Sequence, residues 1–308
     1  MKSKWKNKEN KHECKKECHH FHCRQANVGK STLLNRLVGT KIAIVSNKPQ
    51  TTRTRITGVV TKGDCQFVFQ DTPGLHKPRS RLGDYMVKVV NDTVTDVDIA
   101  AMVVDPVPHI GPAEQELMER MKQYRMPSVL VINKIDTVKN EDLLAVIAAY
   151  SEAHTWDAVV PLSAKTGENC DILFEEFEKF AIEGPQLFPD DMLCDQPERQ
   201  LVAEIIREKM LRNLEREVPH GTAVAVEQMR ERDDGLMNIA ATIYCEKNSH
   251  KGIIIGKQGA MLRKIGAEAR KDIEELLDTR VYLQLWVKVK EGWRNNQYQM
   301  RNFGYENE

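Results

Sequence analysis

The feature that most limits what this chain can fold into is a series of short apolar runs, each stopping abruptly at a polar group. Residues 66–71 read QFVFQD and continue as Thr72-Pro73-Gly74, and residues 99–104 read IAAMVV and stop at Asp105. Residues 128–132 read SVLVI and lead into Asn133-Lys134-Ile135-Asp136, and AVVPL at 158–162 leads into Ser163-Ala164-Lys165. Runs this short and this apolar predict strands buried on both faces, as in a parallel sheet covered by helices. Polar groups at the carboxyl ends of such strands lie where open α/β sheets bind ligands.

The rest of the chain fills in around those strands. Residues 56–71 read as two strands joined by a Lys62-Gly63-Asp64 turn, and residues 111–124 and 170–181 read as amphipathic helices. Pro185, Pro189 and Pro197 then interrupt all periodicity and mark a linker over 184–198. Beyond it the patterns predict a helix, two strands around an Asp233-Asp234-Gly235 turn, a helix over 261–277 and a last strand at 280–289. The predicted domains are therefore 24–183, α/β, and 199–308, a small α+β module. A chain of 308 residues accommodates both.

Lys plus Arg equal Asp plus Glu at 45 each, so global charge excludes no partner. Locally, residues 251–301 carry eleven Lys/Arg against six Asp/Glu, which points to an anionic partner at that end. The seven cysteines form no disulfide framework, so a reducing cytoplasm is expected. No run approaches the roughly 18 apolar residues of a membrane span.

Asn27-Val28-Gly29-Lys30-Ser31-Thr32 supplies a phosphate-binding signature at the mouth of a helix. Backbone N–H groups there wrap phosphates, Lys30 reaches the β/γ oxygens and the Ser31 hydroxyl suits Mg²⁺. Asp71, with Thr72, Pro73 and Gly74, places a carboxylate in the outer shell of that metal and a glycine N–H near a γ-phosphate. Asn133, Lys134 and Asp136 read as a guanine site, because a carboxylate pairs with the N1 and N2 edge that adenine lacks. Ser163, Ala164 and Lys165 would back up the base. Between the first two motifs, SNKPQTTRTRITG reads as a switch loop, with Thr52 rather than Thr51 expected to lend a hydroxyl to Mg²⁺.

At the other end, Ile255-Gly256-Lys257-Gln258-Gly259 forms a GxxG loop between an apolar run read as strand-like and a helix carrying Arg263 and Lys264. Glycines allow close approach to a sugar-phosphate chain. Lys288, Lys290, Trp293 and Arg294 in the tail interleave cations with an aromatic ring, a pattern suited to single-stranded RNA. The same aromatic pattern is equally explained by packing of the module's end.

Taken together, NVGKSTLLNRLVG, KPQTTRTRITG, DTPGLHKPRS, NKID and SAK, followed by the linker and the GxxG module, resemble the Era family of bacterial GTPases from about Asn27 to Tyr305. The resemblance implies a Ras-like P-loop GTPase domain followed by a type II KH domain, with GTP or GDP and Mg²⁺ as cofactors. It implies binding of the 3′ end of 16S rRNA during 30S ribosomal subunit maturation by a monomeric cytoplasmic protein, with peripheral contact at the inner face of the cell membrane. Lys30, Thr52 and Gly74 would carry hydrolysis, since Leu75 stands where Ras-like enzymes usually keep a water-orienting glutamine.

The start departs from that pattern. A first strand buried on both faces should be apolar, yet the segment preceding the phosphate loop reads ECHHFHC, so the first strand is expected to be atypical or missing and residues 1–23 to form an atypical, disordered Lys/Cys/His-rich segment. Arg24 replaces the first glycine of the loop, which predicts impaired nucleotide binding and leaves an RNA-binding KH protein as the alternative reading. Cys14, Cys18, His19, His20, His22 and Cys23 could hold zinc, but all fall within ten residues, whereas structural zinc usually closes a longer loop. A replaced start is the competing explanation.

Overall fold

A computed structural model describes residues 15–20, 28–74, 80–94 and 97–305. The N-terminal domain runs β1 (Lys15–His20), α1 (Lys30–Val38), β2 (Ile56–Lys62), β3 (Cys65–Asp71), α2 (Arg81–Val94), β4 (Ala100–Val104), α3 (Pro112–Tyr124), β5 (Ser128–Ile132), α4 (Asn140–Ala153), β6 (Ala158–Pro161), α5 (Cys170–Glu178) and β7 (Ile182–Gly184). β2 and β3 form a hairpin closing at Lys62↔Cys65, and β4, β5 and β6 form a parallel ladder. Every residue of β4 and β5 is buried, which accounts for their unbroken apolar runs. Leu33, Leu34 and Leu37 of α1 and Phe174 and Phe177 of α5 share one core, while Leu117 and Met121 of α3 and Val146 and Tyr150 of α4 share another. The strands form two sheets, β2-β3-β1-β7 and β4-β5-β6, both packed against helices.

β1 corrects one expectation. Lys15–His20 form a strand parallel to β3, in register from Lys16↔Cys65 to His20↔Phe69, and antiparallel to β7. A ladder is built from main-chain N–H and C=O groups, so a polar sequence can still meet the β3 edge. Cys14, His22, Cys23, Arg24, Asn27 and Leu75 lie outside the described residues, and so do the zinc reading and the altered first turn of the phosphate loop.

The linker follows the N-terminal domain closely. Val59 N–H donates to Leu193 O at 3.0 Å, Asp195 N–H to Thr57 O at 3.2 Å, and Thr57 N–H to the Asp195 carboxylate at 3.0 Å. Gly58 and Cys194 form an antiparallel bridge, so this stretch docks along the outer edge of β2.

The C-terminal domain runs α6 (Glu198–Asn213), β8 (Thr222–Glu231), β9 (Met237–Cys245), α7 (Asn248–Ile255), α8 (Ala260–Leu277), β10 (Val281–Val289) and α9 (Gln297–Asn302). β9 is central, antiparallel to β8 and parallel to β10. The strand-like reading of Gly252–Ile255 is corrected: these residues end α7. Its isoleucines have the propensity of a strand, but His250 and Ile254, four residues apart, face the core while Ile253 is 50% exposed, which is helical periodicity. Among the described residues no helix is long and apolar enough to cross a membrane.

Candidate nucleotide site and RNA-facing surface

α1 opens directly at the phosphate end of the site. Gly29 sits at φ +91°, and a Cβ there would fall 2.4 Å from the Asn133 amide nitrogen, so both backbone conformation and close approach require glycine. Lys30 follows, 7% exposed, and Ser31 Oγ donates to Asp71 Oδ2 at 2.6 Å. Thr52 Oγ1 lies 3.2 Å from Ser31 Oγ and donates to the same Asp71 oxygen at 3.2 Å. Thr51 instead turns away, its hydroxyl donating to Lys48 O at 2.6 Å. Gly74 and Thr32 line the same cleft, with Ile44–Lys48 forming its opposite wall.

Asp71 is completely buried, and its Oδ1 has no hydrogen-bond partner. Burial pushes its carboxyl above the ordinary carboxylate range, against the opposing charge of Lys30 and the bonds from Ser31 and Thr52. A buried carboxylate oxygen left open beside two hydroxyls is an oxygen-only donor set that suits a hard divalent cation such as Mg²⁺.

The base end is organised by Asn133, 2% exposed. Its Nδ2 donates to Val28 O at 2.8 Å, tying β5 to the phosphate loop, and its Oδ1 accepts from Ala164 N–H at 2.9 Å and Lys134 N–H at 2.8 Å. Lys134 Nζ pairs with Asp105 at 2.8 Å, and Ser163 Oγ donates to Asp136 Oδ1 at 2.7 Å, fixing the plane of the carboxylate. Pro73 and Thr72 lead from β3 to Gly74, and Lys165 continues the loop after β6. All of these belong to one edge of the domain.

The loop from Lys41 to Arg53, which contains Thr52, is held by the C-terminal domain. Glu208 of α6, fully buried, accepts from Val45 N–H at 3.0 Å and Lys41 Nζ at 2.6 Å, and Lys41 also reaches Asp272 of α8 at 2.6 Å. Lys48 Nζ donates to Leu214 O, and buried Arg207 donates to Thr51 O. Arg53, 1% exposed, donates to Thr222 O at 2.7 Å and His220 O at 2.8 Å. Leu82 and Met86 of α2 share a further core with Trp293, Met300, Phe303 and Tyr305.

Scans against known families and structures agree with this geometry. A family model described as a 50S ribosome-binding GTPase matches residues 24–134, and a KH domain model matches residues 217–294. GTPase Era of Ruminiclostridium cellulolyticum is 51% identical over 279 residues, which are 91% of this chain and 94% of that protein. The chain belongs to the Era family of GTPases. Era of Clostridioides difficile is 50% identical over 281 residues, 91% of this chain and 95% of that one. A solved structure of an Aquifex aeolicus Era variant bound to GDP·AlF₄⁻ superposes with a TM-score of 0.90 at 37% identity, covering 95% of this chain and all of that one. A solved Era in complex with MgGDPNP and nucleotides 1506–1542 of 16S ribosomal RNA gives the same TM-score, identity and coverage. Guanine nucleotide and Mg²⁺ are the cofactors of this family.

In this Era-family chain the GxxG loop joins α7 to α8. Gly256 and Gly259 have φ of +73° and +78°, and a Cβ on Gly256 would lie 2.9 Å from the Met261 backbone nitrogen. Lys257, Gln258, Arg263 and Lys264 are exposed around it, with Ile255 half-buried behind. Lys290 is exposed, whereas Lys288 pairs with Glu227 at 3.4 Å and Arg294 with Glu246. Trp293 is a correction. It is fully buried, donates from Nε1 to Gly221 O at 3.0 Å and stacks near Tyr305 and Phe303, so no base can reach its ring. The exposed aromatics on β10 are Tyr282 and Trp286, missed because strand alternation alone does not say which face is covered.

Proposed function

We propose that this chain binds and hydrolyses GTP and uses the nucleotide to switch an RNA-binding KH domain, binding the 3′ end of 16S rRNA and assisting 30S subunit maturation. The observation that carries the reading is the convergence of Ser31, Thr52 and Asp71 at the mouth of α1 beside Lys30. Thr52 belongs to the loop that the KH domain grips, so a change at the phosphate end bears on the RNA-binding end. The relative solved with a 16S fragment supports the choice of RNA. A monomer in the cytoplasm with peripheral membrane contact completes the proposal.

In this reading the Ser31 and Thr52 hydroxyls would hold Mg²⁺, with Asp71 in its outer shell, and the ion would neutralise phosphate charge. Lys30 neutralises the same charge, the Gly74 N–H orients the γ-phosphate, and Asp136, held by Ser163, selects guanine. Turnover in this reading rests on positioning by Lys30, Mg²⁺ and the Gly74 backbone, and is slow.

Titration with a fluorescent GTP analogue in Mg²⁺, together with phosphate release, tests the enzymatic half. Saturation in the micromolar range with measurable release is expected. Failure to saturate at high micromolar concentration would sink it and leave the alternative, an RNA-binding KH protein whose nucleotide domain is impaired at Arg24. Fluorescence anisotropy with single-stranded RNA matching the 16S 3′ end tests the other half, and accumulation of unprocessed 16S precursor on depletion in cells tests its role.

A further inference from the structure

The helix that carries Lys30 and Ser31 makes a second connection, at the base end. Arg36, on the last turn of α1, donates from Nε to Ala164 O at 3.1 Å and from Nη2 to Lys165 O at 2.6 Å. Gly167, at φ +92°, lies against the same guanidinium, and a Cβ there would stand 3.7 Å from its central carbon. The loop has its own internal bonds, Gly167 N–H to Ser163 O at 2.8 Å and Thr166 N–H to Ser163 Oγ at 3.2 Å. The Thr166 N–H shares its peptide plane with the Lys165 carbonyl, so those bonds already steady that plane, but neither of them holds the peptide that joins Ala164 to Lys165. Asn133 takes the Ala164 N–H on one side, and Arg36 takes the carbonyls on the other.

We propose that Arg36 is a positioning residue for purine recognition: its guanidinium clasps two successive carbonyls of the Ser163–Lys165 loop and so fixes the peptide plane that faces the base. The inference rests on the guanine-nucleotide reading above. A planar fork with two donors on one edge matches two neighbouring carbonyls, whereas a lysine offers one point charge to one of them. Because Arg36 touches neither phosphate nor metal ligands, its loss acts on the base and spares the phosphate end. One short helix thereby ties both ends of the nucleotide to a single rigid body.

The test compares wild type, Arg36→Ala and Arg36→Lys for dissociation constants of GDP and ADP in Mg²⁺, with hydrogen exchange of the 164–167 amides in nucleotide-free protein. Arg36→Ala is expected to weaken GDP roughly tenfold, the scale of lost charged hydrogen bonds, and to leave ADP nearly unchanged, so that the GDP-to-ADP preference falls by the same factor. Arg36→Lys should recover part of that loss, and exchange at 164–167 should accelerate in the alanine variant. Equal weakening of both nucleotides, or an unchanged preference with unchanged exchange, overturns the proposal. If wild-type protein binds neither nucleotide, the guanine-nucleotide reading fails, and unchanged exchange in Arg36→Ala would independently overturn the clasp.

Discussion

The buried guanidinium of Arg207 on α6 donates to the carbonyl of Thr51, one residue before the hydroxyl that meets Ser31 and Asp71. Arg207 also pairs with Glu204, and its side chain is fully buried. Replacing it with methionine preserves bulk but leaves a carboxylate and a carbonyl unpaired. Breaking a buried pair this way costs about 3–5 kcal/mol. Arg207→Met should therefore lower unfolding free energy by that order in urea. It should also weaken the dependence of RNA affinity on whether GDP or a GTP analogue is present, measured by anisotropy.

Glu208 makes the same junction sensitive to acid. Burial pushes its carboxyl up, but Lys41, the Val45 N–H and Arg212 outweigh this and hold it below its ordinary value of 4.5. A carboxyl depressed in the fold contributes stability that is complete above the unfolded value and is lost as pH falls through the folded one. Denaturation midpoints of wild type should thus fall on acidification below about pH 5. Glu208→Gln, less stable at neutrality, should show a shallower acid dependence.

Gly29→Ala should harm both stability and binding. The left-handed backbone costs about 1–2 kcal/mol for a residue with a side chain, and the new methyl collides with Asn133 Nδ2. Since Asn133 links Val28 to Ala164, its displacement disturbs phosphate and base ends together. Fluorescent GDP titration should show affinity reduced by roughly tenfold or more, on the strength of the hydrogen bonds lost.

Gly256→Asp with Gly259→Asp should abolish RNA binding without altering GDP affinity, because added carboxylates repel phosphate and a side chain on Gly256 strikes Met261. RNA binding that persists would overturn the GxxG assignment. Trp293→Phe, by contrast, should cost about 1 kcal/mol through the lost bond to Gly221 while RNA affinity per folded molecule stays constant.

The strands ending at Asp71, Asp105, Asn133 and Ser163 were legible because burial on both faces writes an unbroken apolar run and the chemistry follows at its end. Of the two adjacent threonines, the structure turns Thr52 toward Asp71 and Thr51 toward Lys48 O, a distinction set by the loop's packing. α7 was not legible, since three isoleucines carry strand propensity and only the packing of Ile254 reveals a helix. Trp293 was misread because a cation-rich, aromatic tail has the same composition whether its rings face solvent or a neighbouring domain. Arg53, Arg207 and Glu208 were invisible as a group: each is an ordinary charge in a polar stretch, and only the junction between domains, with partners more than 150 residues away, buries them.

The docking of Leu193–Asp195 on β2 changes how the molecule can be divided. Those residues act as a short additional strand that hides the outer edge of the hairpin sheet, so a nucleotide domain severed at Gly184 would bare main-chain donors and acceptors and invite edge-to-edge association. The working boundary lies after Asp195, not at the start of the proline-rich stretch. Only Gln196 and Pro197 then separate the docked stretch from α6, and with the Gln196 amide bonded to Arg55 O and the proline ring fixing its φ, the connection between the halves is a short, braced joint.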